Sequence, residues 1–257
     1  MKIQALFSRT FWLPLLAALT HAAGATAAEV KVAVASNFTA PMKVIAREFE
    51  QATGHKPVLA FGATGQFYAQ IRNGAPFAIL LSADDTTPTR LAQEGFGRAE
   101  SRFTYAIGRL VLWSKRPDLI DPEGHVLTSH RFQKLAIANP KLAPYGAAAM
   151  EVLNRMGLSI SLASRIVEGS NISQAYQFVA SENAELGFVA LSQVFENGKM
   201  REGSGWVVPN NLHAPIQQDA ILLSPGHGQP AALALMNFLR SERAREVITS
   251  FGYAVAP

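Results

Sequence analysis

The chain has 257 residues, no cysteine, and 23 basic against 19 acidic side chains, a formal net charge of +4. The lack of cysteine excludes disulfides, thiolate metal sites and cysteine catalysis, so stability must come from a core, and a chain this long can bury a large one. Two of the positive charges, Lys2 and Arg9, stand at the N-terminus; removing them takes +4 to +2, and the rest carries no basic run or basic–aromatic stripe, which argues against a nucleic-acid partner.

The first predicted element is a targeting segment. Lys2 and Arg9 precede a short apolar stretch, Phe11 to Leu19, and small residues end at Ala25-Thr26-Ala27-Ala28. That three-part layout is a secretory signal peptide over residues 1–28, with an apolar part too short to span a bilayer. Cleavage after Ala27 or Ala28 would leave about 230 residues, exported to the periplasm.

Val30 to Ala35 then reads as a buried strand that delivers Ser36 and Asn37 at its carboxyl end. Pro41 suits a first helical turn, Met42, Ile45, Ala46 and Phe49 supply the apolar stripe, and Gly54 closes the helix. Val58 to Phe61 is a second strand leading into Gly62-Ala63-Thr64-Gly65, and Phe67, Ile71 and Asn73-Gly74 mark a second helix. Ala78 to Leu81 is a third strand, followed by Ser82-Ala83-Asp84-Asp85 and a helix ending near Gly95. This βαβαβ order predicts a parallel sheet with helices on its faces.

The middle of the chain repeats the pattern. Leu135 to Ala138 runs towards Pro144-Tyr145-Gly146, and Ala147 to Met156 is a helix closed by Gly157. Ile166 to Glu168 precedes Gly169-Ser170-Asn171, with Asn171 as an N-cap; Leu186 to Ala190 is a further buried strand. Helices are predicted again from Ala231 to Leu239 and from Ser241 to Ser250. Thr104 to Trp113 and Gln217 to Leu223 could each cross between two α/β lobes and so form a hinge. The predicted division is a first lobe of residues 29–107 and 220–257 and a second of 108–219.

Four segments share one character: Ser36-Asn37-Phe38-Thr39, Gly62-Ala63-Thr64-Gly65, Pro144-Tyr145-Gly146 and Gly169-Ser170-Asn171-Ile172 are uncharged and lead into helices. Singly, each has a plain structural reading. Thr39 and Asn171 are helix caps, Ser36 and Asn37 satisfy a strand-to-helix turn, Gly62 and Gly65 serve turn geometry, and Tyr145 is an aromatic under a loop. Jointly they would fall at the carboxyl ends of two facing sheets, where ligands of α/β folds bind. Helix N-termini present unpaired N–H groups and partial positive charge, which suits an anion without lysine or arginine.

The energetics allow this. One hydrogen bond to a charged group contributes about 1.5–3 kcal/mol, so six or seven donors could offset desolvation and still reach about −8 kcal/mol, a micromolar affinity or better. A donor-only site also selects. Phosphate near neutral pH keeps a proton that wants an acceptor, and none of the four segments contains Asp or Glu. A fully deprotonated tetrahedral oxyanion such as sulfate, molybdate or tungstate presents acceptors only.

Enzyme readings are weak. Ser36 lacks a Gly-x-Ser-x-Gly elbow, and Gly62 to Gln66 lacks the lysine and spacing of a P-loop. His55, His125, His130, His213 and His227 show no metal-ligand spacing and are expected on surfaces or loops; Asp84-Asp85 is expected at a helix start. A receptor for an organic solute is the other alternative, but such ligands need aromatic platforms or a charged clamp, and the segments offer only Tyr145.

Several stretches, in order and spacing, resemble the periplasmic molybdate-binding proteins of ABC importers. They are Val34-Ala35-Ser36-Asn37-Phe38-Thr39-Ala40-Pro41-Met42, Gly74-Ala75-Pro76 through Leu81 into Ser82-Ala83-Asp84, Leu186-Gly187-Phe188-Val189, and Phe251-Gly252-Tyr253. The resemblance implies an α/β, two-lobed periplasmic-binding-protein fold (type II-like), each lobe a mostly parallel sheet flanked by helices, joined by two hinge-crossing strands. It implies molybdate, and tungstate with it, as transported ligand, a membrane permease as partner, and no cofactor, catalysis or direct metal ligand, the chain acting as a monomer. The ligand positions implied are Ser36, Asn37 and Thr64 in the first lobe and Tyr145 and Ile172 in the second, the last two through backbone N–H groups. The chain departs from that pattern at one place. Many members carry a tyrosine hydroxyl just after the Leu-Gly-hydrophobic-Val strand, where this chain has Ala190, so one donor is left unassigned.

Overall fold

The structure, a computed structural model, describes residues 27–129 and 131–255. The expected signal peptide therefore falls, but for its last two residues, outside the described residues, as does His130. No helix among the described residues is long and apolar enough to cross a membrane.

The first βαβαβ unit runs β1 (Glu29–Ala35), a 3₁₀ turn (Ser36–Phe38), α1 (Thr39–Thr53), β2 (Lys56–Gly62), α2 (Thr64–Arg72), β3 (Ile79–Leu81) and α3 (Thr86–Gln93). Then β4 (Phe103–Gly108) and β5 (Leu110–Ser114) follow with only Arg109 between them. The second unit comprises β6 (Leu135–Ala138), α4 (Pro144–Arg155), β7 (Ile166–Gly169), α5 (Ile172–Ala180), β8 (Leu186–Ala190) and the short α6 (Leu191–Val194). A two-stranded ribbon of β9 (Phe195–Glu196) and β10 (Lys199–Met200), then β11 (Ser204–Val207), β12 (Ile216–Leu222), α7 (Pro230–Phe238) and α8 (Glu242–Ser250) complete the order.

Two five-stranded sheets result, in the orders β2-β1-β3-β12-β4 and β11-β5-β8-β6-β7. In each, the βαβ strands pair in parallel: β1 with β2 and β3, β6 with β7 and β8. The remaining strands add antiparallel pairs, β12 with β3 and β4, and β5 with β8 and β11. The sheets are thus mixed, because the segments that pass between them must run against the strands they join. The predicted strand Thr104 to Trp113 is divided between the two sheets as β4 and β5, and β12 returns the chain to the first sheet.

Each sheet is buried against its own helices. Val30, Val32 and Val34 of β1 pack with Phe38, Met42, Ile45 and Phe49 of the following turn and helix, and with Leu235 and Met236 of α7. Leu135 and Ile137 of β6 pack with Ala149, Val152 and Leu153 of α4. The runs of Val, Ile and Leu without polar alternation are those of strands covered on both faces. Gly54 ends α1 with a left-handed backbone, φ 74°, as its sequence position predicts.

Three expectations change on inspection. Thr39 does not cap by accepting N–H groups: α1 follows the 3₁₀ turn without a break, and Thr39 Oγ1 donates to the Ser36 carbonyl at 2.8 Å. Helix α4 begins at Pro144 rather than Ala147, since proline at the first position carries no N–H to satisfy. His213 lies in a loop but is buried: its Nδ1 is 2.7 Å from the Ala214 carbonyl oxygen, and Nε2 has no partner among the described residues.

Candidate oxyanion-binding site

The four neutral segments meet. Ser36, Asn37, Thr64, Tyr145 and Ile172 all line one small cavity, together with Ala35, Gly62, Ala63, Ala83, Ala143 and Pro144. Charged side chains are missing from this lining altogether. The five residues are at most 4 % exposed. The cavity therefore combines low dielectric with hydrogen-bonding groups, a setting in which an unmatched polar group is costly and a matched one strong.

Local structure explains which donors are left over. In α5, Asn171 is the N-cap and its Oδ1 accepts from Ser173 N–H at 2.9 Å and Gln174 N–H at 3.1 Å. Those bonds satisfy the second and third helical residues and leave the Ile172 N–H without an intrahelical partner. In α4, Pro144 has no N–H, and Gly146 and Ala147 donate to the Ala143 carbonyl at 2.9 and 3.1 Å, so the Tyr145 N–H is left. In α2, Gln66 and Phe67 donate to Ala63, and Gly65 donates to the Leu142 carbonyl at 2.9 Å, which leaves the Thr64 N–H. Among the described residues, each of the three helices thus keeps one uncommitted first-turn N–H at the cavity, on the residue that the family resemblance implies.

Two hydroxyls add to these. Thr64 Oγ1 accepts the Ala83 N–H at 3.0 Å, so its own proton is free to donate. Ser36 Oγ makes no hydrogen bond to a described residue. Asn37 behaves differently. Its Nδ2 donates to Gln218 Oε1 at 2.8 Å and to Tyr253 Oη at 3.0 Å, so its side-chain protons are committed and only its backbone N–H is left for the cavity.

Several contacts close the cavity by joining the first sheet's loops to the second's. Besides Gly65 to Leu142, Ser173 Oγ donates to the Ser36 carbonyl at 3.3 Å and Ser192 Oγ to the Asn37 carbonyl at 2.9 Å. Beside it lies a wider cleft, about 1150 Å³ and open to solvent, where Asp84, Arg90, Lys141 and Glu151 are found. Burial pushes the Asp84 carboxyl above its ordinary range, against the opposing bonds from the Thr87 N–H, the Thr87 hydroxyl and the Ser82 hydroxyl. Those Thr87 bonds put Asp84 at the start of α3, as its position before a helix suggests.

Sequence reasoning missed the supporting side chains. Tyr105, Ser192, Gln218 and Tyr253 are buried around Asn37 and Tyr145, and Tyr253 Oη also donates to the Asn37 carbonyl at 2.8 Å. Burial pushes the phenols of Tyr105 and Tyr145 well above their ordinary value and that of Tyr253 up to about 12, so all three are neutral hydroxyls. Phe251-Gly252-Tyr253 was visible as a motif, but nothing in it pointed to Asn37. Ala190 is fully buried, donates its N–H to Gln193 Oε1 at 2.9 Å, and does not line the cavity. Elsewhere, Asp121, Glu123 and His125 approach one another, but the Asp121 carboxylate is taken up by the N–H groups of Glu123, His125 and Val126.

Two α/β sheets joined by crossing strands, with helix N-termini around a small cavity between them, define the periplasmic-binding-protein fold. A family model described as bacterial extracellular solute-binding protein matches residues 30–254. The chain is 58% identical over 234 residues to the molybdate-binding protein ModA of Azotobacter vinelandii, covering 91% of this chain and 93% of that one. It is 49% identical over 229 residues to ModA of Rhodobacter capsulatus, covering 89% of each. The solved periplasmic molybdate-binding protein of Azotobacter vinelandii superposes with a TM-score of 0.86 at 40% identity, over 89% of this chain and 100% of that one. The chain belongs to the bacterial extracellular solute-binding proteins, in the group of the ModA molybdate-binding proteins.

Proposed function

We propose that this protein is a periplasmic receptor, without catalytic activity, that captures molybdate and also tungstate and hands them to the membrane permease of an ABC importer. The observation that carries the proposal is the cavity with no charged side chain, where Ser36, Asn37, Thr64, Tyr145 and Ile172 come together with uncommitted donors. The donors are the hydroxyls of Ser36 and Thr64 and the N–H groups of Asn37, Thr64, Tyr145 and Ile172. A donor-only set matches a tetrahedral dianion that offers acceptors on every oxygen, and it disfavours phosphate, whose remaining proton would find no acceptor. The partial positive charge of three helix N-termini supports the same ligand.

The two lobes follow the expected division of 29–107 with 220–257 and 108–219, save that Gly108 and Ile216 to Asp219 go with the first lobe, whose sheet holds β4 and β12. Capture brings the lobes together on the anion about the segments that pass between them. Residues 1–28 direct export and are removed. The protein works as a monomer. Molybdate-binding relatives at 58% and 49% identity support this assignment of ligand and compartment.

The deciding experiment is a melting and calorimetry panel with molybdate, tungstate, sulfate and phosphate. Molybdate and tungstate should raise the midpoint by mass action, sulfate less, and phosphate not at all. A midpoint that ignores molybdate but rises with an amino acid or a sugar would overturn the proposal.

A further inference from the structure

The side chains of two cavity residues from opposite sheets converge on a third residue behind the cavity. Asn37, in the turn after β1, donates through Nδ2 to Gln218 Oε1 at 2.8 Å. Gln218 Nε2 in turn donates to the hydroxyl of Tyr145, in the first turn of α4, at 3.1 Å. The Tyr105 hydroxyl lies 3.0 Å from Gln218 Oε1 and 2.8 Å from the Ser82 carbonyl oxygen, its one proton shared between the two acceptors. Gln218 is 0 % exposed, so this is a fully desolvated amide whose oxygen accepts from Asn37 and shares the Tyr105 proton while its nitrogen serves the Tyr145 hydroxyl.

The backbone is arranged for this contact. The register between β12 and β4 shifts at Gln218/Asp219, with Tyr105 as the extra residue, so that Gln218 and Tyr105 both turn inward. Gly108, at the end of β4, supplies the room. A Cβ there would fall on the Tyr145 hydroxyl and 2.5 Å from Gln218 Nε2. A larger residue at 108 would part the amide from the phenol without removing any polar group.

We propose that Gln218 is a positioning residue for anion capture, holding the Asn37 turn of one sheet and the Tyr145 helix start of the other in the mutual register that the ligand requires. The proposal rests on the function given above. Both partners carry a backbone donor at the cavity, and one amide reaches both only when the two halves stand as they do here. The bond energy of the Gln218 bridge therefore belongs to the assembled, ligand-holding arrangement and must appear in affinity. A residue that merely stabilised β12 would act equally with and without ligand.

The test is a double-mutant cycle on the full chain, with molybdate as the probe. Affinity, dissociation rate and the ligand-free melting midpoint are measured for wild type, Gln218→Met, Tyr145→Phe and the pair. Gln218→Met should weaken molybdate binding about tenfold or more, mostly by faster release, as expected for a lost buried hydrogen-bond bridge. Tyr145→Phe should weaken it several-fold, and the pair should bind no more weakly than Gln218→Met, because both changes cut one link. That coupling should be absent from the ligand-free midpoints. Gly108→Ala should reproduce the faster release with every polar group in place.

Affinity within twofold of wild type in Gln218→Met overturns the proposal, as do additive effects, or a coupling equally large in the ligand-free midpoints. If Gln218→Met does not fold, Tyr145→Phe and Gly108→Ala decide the matter, and unchanged release in both overturns it. Wild-type protein that fails to bind molybdate would overturn the receptor function and this proposal together. Wild-type binding with unaltered variants would overturn this proposal alone.

Discussion

At the scale of single residues, the proposed site separates positions that use a side chain from positions that use a peptide. In the proposed site Thr64 uses both, because its hydroxyl oxygen accepts from the Ala83 N–H and from Ser82 Oγ and so leaves its own proton uncommitted. Thr64→Ala should therefore weaken molybdate binding by about 1.5–3 kcal/mol, the loss of one hydrogen bond to a charge, as read by calorimetry. In the proposed site Ile172 offers only its N–H, while its side chain is packed in the core of the second sheet. Ile172→Val should thus cost about 0.5–1.5 kcal/mol of folding stability while leaving affinity nearly unchanged. A large affinity loss in that variant would mean that the isoleucine side chain itself shapes the anion cavity. The segments that carry Ser36, Asn37 and Thr64 stand out in the sequence only jointly, since each alone has a plain structural reading, and these particular positions are implied by the family resemblance. The atom each one offers was not legible, and for Asn37 the choice of backbone over side chain depends on Gln218 and Tyr253, which are 181 and 216 residues away.

At the scale of elements, helix starts are the working parts of the proposed site, and their caps decide which N–H groups remain free. Asn171 occupies the second and third N–H groups of α5 and leaves the first. Asn171→Ala should lower stability by about 0.5–2 kcal/mol, and it should also weaken molybdate binding, because the α5 start loses its fixed geometry. Denaturant titration and calorimetry on the same variant would check both, and unchanged affinity would detach the cap from the site. The start of α2 approaches the second half of the protein through the Gly65 N–H bond to Leu142. A Cβ at Gly65 would lie 3.1 Å from the Leu142 Cα and 3.2 Å from its carbonyl oxygen, so Gly65→Ala should hold the two halves slightly apart. Faster molybdate release at an unchanged ligand-free midpoint is the expected reading; an unchanged release rate would place that contact outside ligand retention.

At the scale of the whole molecule, the buried phenols tie stability to alkaline pH. Tyr105 and Tyr145 are raised well above their ordinary value and Tyr253 to about 12, in each case chiefly by burial. An unfolded chain releases its phenol protons near pH 10, so above that value the unfolded state binds fewer protons than the folded one and stability falls as pH rises. The contribution is fully present below about pH 10 and is lost towards about pH 12. Urea midpoints should therefore hold from about pH 8 to 9.5 and decline at pH 11, and a flat midpoint at pH 11 would contradict the burial of these hydroxyls.

The order of elements, the two βαβ units and the four neutral turns could be read from residues near one another in the chain, because apolar runs, caps and turn residues act over a few positions. Those local rules single out the four neutral segments at helix starts as one group, while the choice of Ser36, Asn37, Thr64, Tyr145 and Ile172 within them is what the resemblance to the molybdate-binding proteins implies. They do not say which donors stay free, how Gln218 joins Asn37 to Tyr145, or why residue 108 must lack a side chain. Those outcomes depend on contacts between segments distant in the chain, 73 residues apart for Gln218 and Tyr145 and 181 for Asn37 and Gln218, made only when the two sheets face each other and water is excluded between them. A buried glutamine on a strand carries no periodic signature, and its meaning comes entirely from the partners that folding brings to it.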